Sequence, residues 1–244
     1  MNIVILNGWA MPGSIWGQFC DLLNSNLTDE RCRVIDIDRR LSVDQWVQYL
    51  DDLIQPDTLL IGWSLGGMLA LEFASQHPEK IRGVCTLQMN PKFVAADDWS
   101  SAMDLDVFNE FSQLAGSDIK VDIQNLIKRF SFLVTAKGLN GVGDLRALKS
   151  AFSVDSIPAK DILCQSLELL EMLDVRDKIN ALKVPQLHLL GEYDQLVPQS
   201  AFEQIKALNN GAYVELLEGV SHCPCFSAAE RTAKRVAEFA GALN

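Results

Sequence analysis

The pentapeptide Gly62-Trp63-Ser64-Leu65-Gly66 is the feature that most restricts how this chain can fold. An apolar run, residues 58–61, precedes it, and a helix-length stretch, residues 67–76, follows it. Serine between glycines at such a junction predicts a sharp strand-to-helix turn, in which larger neighbours would collide with the turn. The turn would raise the Ser64 hydroxyl above the edge of a sheet, which makes Ser64 a candidate nucleophile.

Short apolar runs alternate with helix-length segments elsewhere, a pattern typical of a mostly parallel sheet with helices on both faces. About six strands are predicted, at residues 2–6, 33–37, 58–61, 81–87, 185–190 and 212–217. Core helices are predicted at residues 15–23, 42–54 (with Ser42 as N-cap), 67–76, 198–208 and 228–243. Residues 92–176 have a mostly helical pattern instead. We therefore expect an α/β-hydrolase fold, with a core at residues 1–91 and 177–244 and a helical lid at residues 92–176, after the fourth strand.

A nucleophilic serine needs a base, and the chain contains three histidines. His222 follows the last predicted strand, at the carboxyl end, where functional residues of such sheets collect. His77 precedes a proline at a predicted helix end, which favours a surface or capping role. His188 lies inside a predicted strand, which favours a satisfied core histidine. We therefore predict that His222 is the catalytic base.

The histidine needs an acid that orients its ring and stabilises its charged form. Asp194 lies just past the penultimate predicted strand, and the order serine, aspartate, histidine is the one expected for this fold. Glu192 is a rival because it lies closer to the strand end. Asp97 and Asp98, after the fourth predicted strand, are a second alternative. We predict that Asp194 is the acid.

An oxyanion hole needs two backbone N–H groups aimed at the developing charge. One is predicted to be the amide of Leu65, directly after the nucleophile. The other is predicted in the loop after the first strand, at Trp9. Trp9 and Trp63 flank the predicted site and either line an acyl pocket or belong to the core.

Composition excludes several classes of function. The net charge of −11 argues against nucleic acid and anionic membrane surfaces as partners. The first 20 residues contain no charged side chain but are broken by polar residues, glycine and proline, so we expect neither a signal peptide nor a membrane helix and predict a cytoplasmic protein. The six cysteines are scattered, which favours reduced thiols. Cys223-Pro224-Cys225 lacks a second ligand pair, so we expect no metal, and ester hydrolysis of this kind needs no cofactor.

With these motifs, the chain resembles the pimeloyl-[acyl-carrier-protein] methyl ester esterases of biotin biosynthesis. The similarity covers nearly the whole chain. It is carried by these segments: Asn7-Gly8-Trp9, Gly62-Trp63-Ser64-Leu65-Gly66-Gly67, His77-Pro78-Glu79, Pro91-Lys92-Phe93, Asp98-Trp99, Arg129-Phe130, Arg146-Ala147-Leu148-Lys149, Leu167-Glu168-Leu169-Leu170, Asp174-Val175-Arg176 and Ser221-His222-Cys223-Pro224. Two positions differ from the family pattern: Asn7 stands where histidine is usual, and residues 37–40 lack the usual glycine-rich turn.

The resemblance implies cleavage of a methyl ester from a pimeloyl chain held on a phosphopantetheine arm. It implies these roles: a triad of Ser64, Asp194 and His222, an oxyanion hole of Trp9 and Leu65, an acyl channel at Phe130, and a carrier-protein surface at Arg129 and Arg146. The charge pattern agrees, because residues 120–149 contain six basic and two acidic side chains in an otherwise acidic chain. Such a basic stretch would attract acyl-carrier protein, although a solvated lid helix has the same composition.

Two other functions remain open from the sequence. A general short-chain carboxylesterase without a carrier-protein partner would share the triad, because the lid sets specificity. A non-catalytic binding protein with the same fold is the other alternative, and the complete triad argues against it.

Overall fold

The computed structural model describes residues 1–27, 32–151 and 157–243. Six strands occur in it: β1 (Asn2–Leu6), β2 (Cys32–Ile35), β3 (Thr58–Trp63), β4 (Ile81–Leu87), β5 (Gln186–Gly191) and β6 (Tyr213–Leu217). The helices are α1 (Gly17–Asn26), α2 (Val43–Leu53), α3 (Leu65–Gln76), α4 (Leu105–Ala115), α5 (Lys120–Thr135), α6 (Gly141–Ala151), α7 (Lys160–Met172), α8 (Arg176–Ala181), α9 (Ala201–Leu208) and α10 (Ala229–Gly241). Short 3-10 turns precede α1 and β4.

The strands form one sheet in the order β2-β1-β3-β4-β5-β6, and every neighbouring pair is parallel. The predicted fold class and number of strands are therefore confirmed. Every residue of β3 and of β5 is buried, as expected for central strands covered on both faces. Because the strands are parallel, the segments that follow β1, β3, β5 and β6 meet at one edge of the sheet.

Helices cover the sheet on its two faces. Gly62 packs against Gly67 of α3, whereas Gly83 faces Phe239 of α10. The β3–β4 register places these two glycines on opposite faces of the sheet. Further packing of α3 against α2 and α8, and of α10 against α1, completes the two layers.

Ser42 caps α2 as predicted. Its side chain accepts a hydrogen bond from the Gln45 amide, and the Gln45 side chain accepts one from the Ser42 amide. This reciprocal pair satisfies two of the amides that the first turn of a helix leaves without partners.

The described part of residues 92–176 contains α4 to α7, as the helical pattern predicted, and its only strand-like pairings are isolated bridges such as the one between Val94 and Met103. These helices reach the loop after β1, because the indole Nε1 of Trp9 donates to the carbonyl of Leu163 in α7 at 3.1 Å. Helix α7 thus lies next to the loop at the carboxyl end of β1. None of the helices within the described residues combines the length and apolar character needed to cross a bilayer.

One expectation about cysteines was wrong. Cys20 in α1 and Cys32 in β2 form a disulfide, with Cα atoms 5.4 Å apart. The reason is tertiary, because α1 packs against β2 and brings together two cysteines that lie 12 residues apart. The other four cysteines are free thiols.

Candidate active site

Ser64 lies in the turn between β3 and α3 with a left-handed backbone conformation, φ 53° and ψ −120°. Its amide donates to the carbonyl of Leu87 at 3.0 Å, which fixes the turn against β4. A side chain at Gly62 would collide with the backbone of Gly66, and one at Gly66 would collide with the carbonyl of Leu6. Only glycine fits at positions 62 and 66, because a side chain at either position would collide with neighbouring backbone. The turn therefore has the strained geometry that the pentapeptide predicted.

His222 and Asp194 form a buried pair. The distance from His222 Nδ1 to Asp194 Oδ2 is 2.7 Å, and both side chains are almost fully buried. The other carboxylate oxygen of Asp194 accepts from the amides of Leu196 and Val197, at 2.8 and 2.9 Å. The His222 Nε2 atom is buried and has no hydrogen-bonding partner among the described residues. Asp194 fixes the ring at Nδ1 and leaves Nε2 without a partner in the described part of the chain, so Nε2 is able to accept a proton.

Trp63 contacts both the backbone and the ring of His222. Its indole Nε1 donates to the carbonyl of His222 at 2.7 Å, and the two ring centroids are 5.5 Å apart. Trp63 also packs edge-on against Trp16. Trp63 is fully buried and supports the backbone of His222.

The rival acids make other contacts. Glu192 Oε2 accepts from the amide of Gly219 at 2.9 Å. Asp97 is exposed, and Asp98 is exposed and ion-paired to Arg176 at 2.6 Å. Hydrogen bonds from Arg176 and Lys92 lower the pKa of Asp98 to about 2. Asp194 is therefore the acid that the fold brings to His222.

The other two histidines are also engaged elsewhere. His77 Nδ1 lies 3.3 Å from a carboxylate oxygen of Asp51, and its ring stacks on Phe73. His188 Nδ1 lies 2.7 Å from the hydroxyl of Thr86, inside the sheet. Burial lowers the pKa of His188 to about 4, so this ring is a neutral core group at neutral pH.

The two amides predicted for the oxyanion hole belong to neighbouring turns. Leu65 begins α3, and Trp9 lies in the loop after β1. Gly66 is packed directly against the carbonyls of Leu6 and Asn7, which brings the two turns into contact. Neither the Leu65 amide nor the Trp9 amide donates to any of the described residues. Both are thus available to a ligand oxygen.

An apolar chamber lies next to this loop. Phe130 packs edge-on against Trp9, with ring centroids 4.8 Å apart, and Phe111 lies 6.4 Å from Phe130. The chamber is lined by Trp9, Phe93, Met103, Phe108, Phe111, Phe130, Leu167, Leu170 and Leu196. Sequence reasoning found Trp9 and Phe130 but missed the rest, because apolar residues on amphipathic helices have the same pattern whether they line a chamber or fill a core.

The two arginines predicted to face a carrier protein lie on different helices. Arg129 in α5 pairs with Glu110 of α4 at 2.8 Å, and its guanidinium lies over the ring of Phe111. Arg146 in α6 is exposed and has no ion pair with a described residue. Asp144, one of the two acids in this stretch, is turned inward and accepts hydrogen bonds from Ser227. The exposed surface of α5 and α6 is thus more basic than the composition indicates.

No cluster of three or more His, Cys, Asp or Glu side chains suited to a metal ion occurs in residues 1–27, 32–151 and 157–243. The Cys223 and Cys225 sulfurs lie 3.2 Å apart, buried beside His222. Burial raises the pKa of the Cys225 thiol, so its thiolate is disfavoured.

Known proteins resemble this chain in sequence and in fold. A family model described as alpha/beta hydrolase fold matches residues 40–229. A pimeloyl-[acyl-carrier protein] methyl ester esterase from Xanthomonas axonopodis pv. citri is 29% identical, over 99% of this chain and 95% of that protein. The protein of the same name from Vibrio cholerae is 27% identical, over 98% and 94%.

Solved structures agree with the fold. An esterase from Exiguobacterium antarcticum superimposes with a TM-score of 0.81 at 18% identity, covering 99% of this chain and 92% of that one. A bromoperoxidase from Bacillus anthracis gives 0.79 at 16% identity, covering 100% and 92%. The family model covers most of the chain, and the sheet order and the turn at Ser64 agree with it. This chain therefore belongs to the alpha/beta hydrolase fold family.

Proposed function

We propose that this protein is a serine carboxylesterase that hydrolyses the methyl ester of a pimeloyl chain carried on acyl-carrier protein, in biotin biosynthesis. The observation that carries the proposal is the buried His222–Asp194 pair at the same sheet edge as the strained Ser64 turn. The names of the full-length relatives support the substrate. The proposed carrier-bound substrate favours the cytoplasm as the site of the reaction.

In the proposed reaction, His222 Nε2 takes the proton of the Ser64 hydroxyl while the serine oxygen attacks the ester carbonyl. Asp194 holds the ring through Nδ1 and stabilises its protonated form. The amides of Leu65 and Trp9 stabilise the oxyanion. The protonated His222 then gives its proton to the leaving methanol, and water repeats the cycle on the acyl-enzyme to free the acid.

The lining of the apolar chamber suits a methylene chain, but its cavity of about 20 Å³ has room for little more than a water molecule, so an acyl chain enters only if the lining side chains move apart. The chamber contacts Trp9, whose amide is half of the proposed oxyanion hole. Its lining contains no charged side chain, which favours a neutral ester over a free carboxylate.

The basic face of α5 and α6 is the proposed docking surface for acyl-carrier protein. Lys128 of α5, Lys137 between the two helices, and Arg146 and Lys149 of α6 are exposed, in a chain whose net charge is −11. Local positive charge of this kind guides an acidic partner to the site by complementary potential. The residues 92–176 then act as a lid that sets specificity.

A general short-chain carboxylesterase is the second candidate. It is favoured by one observation, the pairing of Arg129 with Glu110, which neutralises one of the two arginines proposed to face the carrier. It needs the same triad and no partner.

The proposed chemistry is tested with Ser64→Ala on a chromogenic short-chain ester and with a fluorophosphonate probe. The wild-type protein is expected to hydrolyse the ester and to be labelled, and the variant is expected to lose both, with turnover falling on the order of 10⁶-fold. Labelling that persists in Ser64→Ala would remove Ser64 from the reaction.

A further inference from the structure

Asn7 is a fully buried polar residue at the start of the loop that carries Trp9. Its backbone amide donates to the carbonyl of Ile35 and so continues the pairing of β1 with β2. The side chain, in contrast, points into the loop. None of the catalytic steps proposed above uses it.

All four hydrogen-bonding positions of the Asn7 side chain are occupied. Its Oδ1 accepts from the amide of Gly8 at 2.9 Å and from the indole Nε1 of Trp16 at 2.8 Å. Its Nδ2 donates to the carbonyl of Met11 at 2.6 Å and to a carboxylate oxygen of Asp36 at 2.8 Å. A carboxamide supplies two donors and two acceptor sites, and a carboxylate supplies acceptors only.

These bonds hold the loop on both sides of Trp9. Gly8 precedes Trp9, and Met11 follows it by two residues. The side-chain carboxamide of Asn7, bonded to both, therefore closes a small ring that contains the Trp9 backbone N–H. Ala10, within that ring, has a left-handed φ of 56°, a conformation that needs such support. The position of the Trp9 amide is therefore set by the Asn7 side chain.

Trp16 and Asp36 fix the Asn7 carboxamide in turn. Burial raises the pKa of Asp36, and the hydrogen bonds from Asn7 and from the Gly13 amide oppose this rise. The Asp36 carboxylate thus contacts the loop at both Asn7 and Gly13. The orientation of the carboxamide is determined, since only one assignment of its oxygen and nitrogen satisfies an indole donor and a carboxylate acceptor.

We infer that Asn7 is a positioning residue, which aims the Trp9 amide at the oxyanion and is itself held by Asp36 and Trp16. The inference rests on the proposed esterase function. It adds to that function a specific origin for half of the oxyanion hole.

The test uses Asn7→Asp, which keeps the shape and the bonds from Gly8 and Trp16 but replaces the Nδ2 donor with an acceptor. Asn90→Asp is the matched control, because Asn90 is also buried, accepts from a tryptophan Nε1 (Trp99) and donates to a backbone carbonyl (Ser101). We measure kcat and KM on a chromogenic ester, the affinity for a boronic acid that mimics the oxyanion, and thermal stability.

For Asn7→Asp we expect kcat to fall about 10- to 100-fold, with KM within about twofold, since the lost interaction acts in the transition state. Boronate affinity is expected to fall in parallel with kcat. Asn90→Asp is expected to lose stability while kcat stays within about twofold per folded molecule. In Asn7→Asp/Asp36→Asn, an amide again faces a carboxylate, and at least about threefold of the lost kcat is expected to return.

Stability losses in both Asp variants with unchanged kcat and boronate affinity would overturn the inference. A double variant no better than Asn7→Asp would overturn the part assigned to Asp36, because the Met11 carbonyl still faces an acceptor in that variant. The proposed function is judged separately, by the wild-type protein in the same assay. A wild type without ester hydrolysis would remove the proposed function. An active wild type with an equally active Asn7→Asp would remove only the role of Asn7.

Discussion

The backbone of Ser64 is strained, and contacts with neighbouring residues stabilise it in that conformation. Ser64 holds a backbone conformation that costs a residue with a side chain about 1–3 kcal/mol. The conformation persists because Gly62 and Gly66 let the turn pack against its neighbours and because the Ser64 amide is bonded to Leu87. The pentapeptide predicted this turn, since only glycine is compatible with such close contacts.

The strain predicts a difference between two inactive variants. Ser64→Gly removes the side chain that the left-handed conformation disfavours, whereas Ser64→Ala keeps a Cβ. We expect Ser64→Gly to be more stable than Ser64→Ala by about 1 kcal/mol, as measured by urea unfolding. Equal stability of the two variants would show that the turn is not strained.

Asp194 and Glu192 are distinguished by a pair of amide substitutions. Asp194→Asn places an amide nitrogen or a neutral oxygen against His222 Nδ1, so the ring loses its charged partner. We expect kcat to fall by on the order of 10³- to 10⁴-fold. Glu192→Gln keeps an acceptor for the Gly219 amide and serves as the control, with kcat expected within about threefold. The reverse order of effects, measured with the same ester, would identify Glu192 as the acid.

At the scale of elements, the sequence predicted those boundaries of helices and strands that depend on local residue patterns. Strand β4 occupies the residues predicted for it, and Ser42 caps α2 as expected. Other boundaries depend on tertiary contacts. Strand β3 extends two residues further, to Trp63, because its last residues pair with Thr86 and Leu87. Helix α3 begins at Leu65, directly after the nucleophile, because Gly66 and Gly67 fit against neighbouring backbone and Met89.

The pairing of β4 with β5 contains a pH-sensitive contact. His188 faces Thr86 across these strands, and burial lowers its pKa from 6.5 to about 4. The unfolded chain therefore binds this proton at a higher pH than the folded one. Its contribution to stability is complete above about pH 6.5 and is lost as the pH falls towards about 4, by up to about 3 kcal/mol.

This dependence is measured by urea unfolding between about pH 7 and pH 4. His188→Gln, which does not titrate, is expected to lose less stability over that interval than the wild type. Parallel losses in the two proteins would show that His188 is not protonated on unfolding.

At the scale of the whole molecule, one edge of the parallel sheet brings the candidate site together, and helix α7 contacts the loop after β1 at that edge. Parallel connectivity predicted that the segments after β3, β5 and β6 would meet, and it allowed the triad to be chosen by position. The chamber could not be predicted from the sequence, because it depends on contacts between separate elements. Phe111 of α4 contacts Phe130 of α5, and Phe130 contacts Trp9 in the loop after β1. The Cys20–Cys32 disulfide was missed for the same reason.

The charge distribution predicts how a carrier-bound substrate is recognised. Arg129→Glu and Arg146→Glu, made together, reverse charge on the proposed docking face, and Lys183→Glu, before β5 and exposed, is the control. We expect kcat/KM on a carrier-bound ester to fall about tenfold or more in the double variant and in high salt, with little change on a small ester. Equal losses on both substrates would instead favour the general carboxylesterase.

The central claim is tested most directly by following hydrolysis of monomethyl pimeloyl-carrier protein by mass, beside the same ester free of its carrier. We expect loss of the methyl group from the carrier-bound form, at a much higher kcat/KM than from the free ester, and no loss with Ser64→Ala. Cleavage of the free ester alone would contradict the carrier-bound substrate and leave a general carboxylesterase with the same triad. Cleavage of neither ester would contradict the proposed chemistry itself.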